Sequence, residues 1–209
     1  MSADRGMVPC SEYYNFVAAR IWSGTKKILG NLIPAVFSLP FAAIGLIQFR
    51  PESPLALNPI LWLAAFPVVG VIALNFTGLF GNSSMQNELG KRWGRIHGAP
   101  KGELNFIGFA HPNFRSIWDP HQEIGFLVIN EDHLLIFGEN EEFKIEKSSI
   151  TDLRFRSNAH SWIGLGRFIC IEAGPSTLYI EPRKYQSILK NKRHGATLLE
   201  QLKQWRAAS

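Results

Sequence analysis

Two long uncharged apolar runs lie in the first half of the chain, and a region of alternating apolar and polar positions follows them. The first run extends from Ile28 to Phe49, with Lys26 and Lys27 at one end and Arg50 at the other. At about 1.5 Å per residue it is long enough to cross a hydrocarbon core of about 30 Å. The second run, Ile60 to Phe80, is also uncharged and carries Trp62 near its outer end, where an indole favours the headgroup region. The pattern predicts a two-helix transmembrane hairpin over residues 28–80. The competing reading, two buried helices of a soluble protein, needs helices more uniformly apolar than soluble cores usually hold. Pro34, Pro40 and Pro67 fall inside the spans. Kinks are expected near Pro40 and Pro67, since membrane helices re-satisfy the carbonyls that proline frees. Asn75 is the most interior polar group. It is expected either to hydrogen-bond across the hairpin or to another subunit, or to lie near the interface. With no ionisable residue in either span, an ion pathway or proton relay has nothing to run on.

The flanks set the orientation. Arg20, Lys26 and Lys27 precede the first span, and Lys91, Arg92, Arg95 and Lys101 follow the second. The connecting loop has Arg50 offset by Glu52. The bias of Lys and Arg places both termini in the cytoplasm, with a short Pro-rich loop outside. Residues 1–27 form an N-terminal cytoplasmic segment. Its first ten residues are expected to be disordered, and Tyr13, Tyr14, Phe16, Val17, Ile21 and Trp22 suggest an interfacial helix lying on the bilayer. Residues 81–103 read as a basic linker, with Ser84 capping a short helix through about Trp93 before Gly94, Gly98, Pro100 and Gly102.

From Leu104 the period changes to two. Strands are predicted at Leu104–Ala110, Glu123–Ile129, His133–Phe137, Phe143–Glu146, Ile150–Arg156, Phe168–Ala173 and Thr177–Glu181. In the fifth, Ile150, Leu153 and Phe155 face inward while Asp152, Arg154 and Arg156 face outward. From Pro182 the pattern turns helical, with Leu198, Leu199, Leu202 and Trp205 at helical spacing and an interruption expected at Asn191–Gly195. The fold class is therefore a membrane α-hairpin plus an all-β or α+β domain. About seven antiparallel strands in meander order form an open barrel, and the amphipathic helix closes it.

The stretches EIGFLVINEDHLLIFG and FKIEKSSITDLRF run strand, turn, strand, glycine, short strand, Ser-x-Ile, strand. Over about 104–206 this order resembles the pleckstrin-homology-like (PH-like) superfold, including bacterial PH and GRAM-like domains. The whole chain is similar to bacterial membrane proteins that carry such a domain after two spans. The resemblance implies a PH-like cytoplasmic domain over 104–209, at a bacterial plasma (inner) membrane, that recognises anionic headgroups or proteins through basic loops. An OB-fold is the runner-up, and the terminal helix argues against it.

The net charge of +5 is distributed unevenly. Residues 130–147 carry six acids against two lysines, and residues 148–209 carry ten basic residues against four acids. Basic flanks are expected of a membrane protein, so the pI of about 9.4 does not point to nucleic acid. Cys10 and Cys170 form no CxxC or extracellular framework, which fits a reducing compartment. The N-terminus does not read as a cleaved signal peptide, so the first span is expected to stay in the mature protein.

His111, Asp119 and His121 share one connection and are the best metal-like group, although their spacing matches no established ligand pattern. His160 and Ser161 with Asp152 would need a triad geometry that sequence nearness does not supply. Gly164-Leu165-Gly166-Arg167 precedes a strand rather than a helix, so a phosphate cradle is not indicated. Arg154, Arg156 and Arg167 make a candidate basic face, and Trp162 is either a membrane- or partner-contacting aromatic or part of the core. Glu139, Glu141 and Glu142 crowd one hairpin and would repel phosphate. These features predict a membrane-anchored, non-enzymatic interaction or scaffolding protein without a cofactor. Its partners would be the bilayer and an anionic lipid or protein. The alternative is a membrane-bound metal-dependent hydrolase using His111, Asp119 and His121.

Overall fold

The computed structural model describes residues 8–9, 21–48, 57–79, 81–98, 103–114, 121–158, 161 and 166–208, with only the backbone described at 8, 9, 27, 31, 57 and 58. Two helices, α1 (Gly24–Gln48) and α2 (Leu57–Thr77), are long and apolar enough to cross a membrane. They pack antiparallel through small residues. A Cβ at Gly45 would come within 2.8 Å of Leu63, and one at Gly70 would touch Ser38. Close backbone approach of this kind is how helices associate where no hydrophobic effect drives them together. Phe41 and Trp62 pack with ring centroids 5.8 Å apart. The outward faces are apolar and uncovered, with Val36, Leu46, Val68, Ile72 and Phe76 all exposed.

A third helix, α3 (Asn82–His97), follows α2 after Gly81, which takes a positive φ of 75°. The seven strands β2 (Asn105–Ala110), β3 (Glu123–Ile129), β4 (His133–Gly138), β5 (Glu142–Glu146), β6 (Ile150–Arg156), β7 (Phe168–Ala173) and β8 (Ser176–Pro182) form one antiparallel open sheet. β2 pairs with both β3 and β8, which joins the two halves of the meander. The last helix, α4 (Ile188–Ala207), packs against β6 and β8. Its Leu198, Leu199 and Leu202 fill the concave side beside Ile107, Ile136 and Ile171.

The register explains an irregularity in β6. Ile150 and Asp152 would share a face in a regular strand, yet Ile150 belongs to the core and Asp152 does not. A bulge between them flips the alternation, so Ile150 and Leu153 both point inward.

Several expectations are revised. Residues 81–103 are not only a linker: α3 buries Met85, Leu89 and Trp93 against Phe106, Ile124 and Phe126 on the convex face of the sheet. β3 is consequently buried on both sides, as its continuous apolar run permits. Asn191–Gly195 does not interrupt α4. Asn191 is turned inward and bonds the backbone of Tyr185, while Gly195 lies against the ring of Pro182. Ile21 and Trp22 do not lie on a bilayer but pack into the convex-face core; the rest of the predicted interfacial helix falls outside the described residues. Within the segment expected to be disordered, Val8–Pro9 forms a two-residue strand, β1, on the edge of β5.

Candidate functional site

The convex face carries a buried polar junction where α3 and the lead-in to α1 meet the sheet. Its outward positions on β8 are Tyr179 and Glu181, and Arg183 continues the same alternation just beyond. Glu181 accepts hydrogen bonds from His121 Nε2 at 3.1 Å and from Asn158 Nδ2 at 3.1 Å. Arg183 approaches the other ring nitrogen, Nδ1, at 3.4 Å. A guanidinium only donates, so Nδ1 accepts and the proton sits on Nε2, facing the carboxylate. His121 thereby bridges a buried cation and a buried anion.

The sequence makes room for this ring at Gly108. A Cβ there would come within 2.2 Å of the imidazole, so any other residue on this strand would expel it. Phe168 closes one side edge-on, with ring centroids 5.9 Å apart. Arg183 extends the junction to the helices. Its Nε donates to Asn82 Oδ1 at 3.1 Å, Asn82 Nδ2 donates back to the Arg183 carbonyl, and the guanidinium lies 4.4 Å from the Trp22 ring centroid. Arg183, Asn82, His121, Glu181 and Asn158 are all buried. Buried charges are tolerable when hydrogen bonds compensate their lost hydration, and here the cation and the anion are linked through the His121 ring.

A second tie lies at the end of α2. Asn75 Oδ1 accepts from Ser187 Oγ at 3.0 Å and from the Leu189 amide at 2.9 Å. Ser187 caps α4 by accepting from the Lys190 amide. Asn75, expected to bond across the hairpin or to another subunit or to lie near the interface, engages the amino end of the terminal helix, whose orphan N–H groups need acceptors.

The acidic hairpin is turned inward. The Glu139 carboxylate accepts from the amides of Ile21 and Trp22 and so pins the lead-in to α1. Glu123 is buried and bonded to the backbone and side-chain nitrogens of Asn140. Desolvation, reinforced by Glu141 and Glu139, pushes its pKa up to about 7, against the opposing pull of the Asn140 donors. Glu142 is also raised by burial, and His97 at 3.7 Å opposes the rise. Only Glu141 of the three hairpin acids is substantially exposed, and it pairs with His111 at 3.2 Å.

The residues singled out from sequence are distributed over several places. His111 and His121 engage different carboxylates, Glu141 and Glu181, and Asp119 lies outside the described residues. Trp162 and His160 also lie outside them. Ser161 accepts from the Asn158 amide and donates to the Gly166 carbonyl, while Asp152 is bound to Arg154. Arg154 and Arg156 share the outward face of β6: Arg154 bridges Asp152 and Glu172, and Arg156 lies 4.8 Å from the Tyr179 ring centroid. Arg167 stacks at 4.1 Å on Phe155, which packs toward the concave core, so it does not join the other two. Glu181, Arg183, Asn158 and Asn82 escaped the sequence reading. Their one signal was charge of both signs around Pro182, at the end of an apolar strand. No protein-family model matches the chain, and no curated protein shows significant similarity to it.

Proposed function

We propose that the chain is an integral membrane protein whose α1–α2 hairpin anchors a cytoplasmic PH-like domain, and that this domain is a non-enzymatic interaction or scaffolding module. It contacts a protein partner or anionic lipid at the membrane surface. The observation that carries the reading is where apolar surface lies. In the most apolar windows of the two candidate spans, 24% and 6% of the residues are buried. A soluble core helix would be mostly covered, so these faces need an apolar solvent. The Lys and Arg bias of the flanks favours cytoplasmic termini. The PH-like reading is supported by two meanders, β2–β5 and β6–β8, by the β2–β8 pairing that joins them, and by the terminal helix filling the concave side.

The buried junction supports a scaffolding role. Asn82–Arg183 and Asn75–Ser187 tie α2 and α3 to the sheet and to α4, so the domain is held in one pose rather than on a free leash. An interaction surface presented at fixed height and orientation loses less entropy on binding.

The test is crosslinking and mass spectrometry on the full chain in its native membrane, after alkaline carbonate washing. Retention in the washed membrane, with recurrent crosslinks from the domain to one protein or to anionic lipid, is the expected result. Release by carbonate would overturn the anchor, and absence of any domain crosslink would overturn the interaction role.

A further inference from the structure

We infer that the first turn of α4, with Tyr185, Leu189, Lys190 and Arg193, is a second membrane contact that sits in the headgroup layer and binds anionic phospholipid. This deepens the reading above and rests on the hairpin crossing the bilayer. The first observation is one of level. The Leu189 amide bonds Asn75, and a Cβ at Gly78 would lie 3.1 Å from Ile188. Asn75 precedes Gly78 by three residues, about 4–5 Å along the helix axis. The amino end of α4 therefore overlaps the last turn of α2. At that level α2 exposes Ile72 and Phe76, which belong to its apolar surface.

The second observation is what α4 presents there. Leu189 is 45% exposed and Tyr185 39% exposed. Both are large apolar side chains in a region that otherwise buries its own, and a tyrosine with an exposed body suits the headgroup boundary. The third observation is charge. Lys190 and Arg193 are exposed at helical spacing of three, and the first turn of α4 has no acid. The amino end of a 20-residue helix adds positive potential. An apolar wedge flanked by basic side chains, continuous in level with a membrane span, is complementary to an anionic bilayer surface.

The experiment uses the full chain with Cys10 and Cys170 replaced by alanine. Single cysteines at Val36, Leu189 or Glu200 carry an environment-sensitive dye, in vesicles of phosphatidylcholine with or without phosphatidylglycerol. Spin labels on the lipid tails or headgroups report depth by quenching. The dye at 36 is expected to be quenched from the tails, that at 189 from the headgroups, and that at 200 by neither. Enrichment of labelled phosphatidylglycerol around the protein is expected to fall about fivefold for each charge removed in K190Q and R193Q. If position 36 is quenched while 189 is as solvated as 200, the α4 contact is overturned and the anchor stands. A dye at 189 shielded by a second copy of the chain or another protein, and unquenched by lipid, also overturns it. If position 36 is unquenched, the hairpin reading itself fails and takes this contact with it.

Discussion

The hairpin and the β domain use the same side chains in opposite ways. In the domain, Ile136, Leu198 and Leu202 are sealed between the sheet and α4. In the hairpin, Val36, Val68 and Phe76 point away from the protein, and Gly45, Gly70 and Ser38 let the two helices approach closely. The domain is organised by removing apolar surface from water. The hairpin is organised by close packing between helices whose outer surface is apolar and left uncovered. The two logics meet at Asn75, a polar group near the end of an apolar helix that satisfies the first amides of a helix belonging to the domain.

The comparison can be broken first in the domain. Leu198→Ala leaves a cavity beneath the sheet and is expected to cost about 2–5 kcal/mol, read as a lowered thermal midpoint of the domain. Val68→Arg is the matching test in the hairpin. In water, an exposed position would tolerate it within about 0.5 kcal/mol. In a bilayer it is expected to cost about 3 kcal/mol, read as loss of membrane insertion in a glycosylation-reporter assay.

Glu123 sharpens the contrast by pH. Its folded pKa of about 7 lies above the ordinary value of 4.5, so the folded state holds a proton that the unfolded chain releases. Stability is then highest below pH 4.5, falls as pH rises to about 7, and is flat above. The full drop is about 3 kcal/mol, and Glu123→Gln is expected to remove that part of the slope in denaturant titrations. Asn82→Ala strips a partner from the buried guanidinium and is expected to cost about 1–3 kcal/mol. It should also raise hydrogen exchange in α3 before the strands open. The smallest effect is at Arg154, whose ion pairs are exposed. Arg154→Ala is expected to leave the thermal midpoint nearly unchanged, with the small remaining loss reduced further by salt.

Local pattern was the legible part of this protein. Uncharged length marked α1 and α2, period-two alternation marked the strands, and the helical spacing of Leu198, Leu199 and Leu202 marked the element that covers the concave core. Even the odd spacing from Ile150 to Leu153 was in the sequence, although only the bulge shows how both residues come to face inward. These features depend on neighbours in the chain, and backbone geometry converts such neighbours directly into faces.

The tertiary structure alone decided the rest. It brought Asn82 to Arg183 and His121 to Glu181, partners far apart in sequence whose pairing follows from strand order and not from spacing. It turned Glu139 and Glu142 inward, gave α3 a sheet to cover, and placed Arg167 on the opposite side from Arg154 and Arg156. Burial of a polar group is set by what folds over it, so a charged residue reads alike in sequence whether it meets water or a partner in the interior.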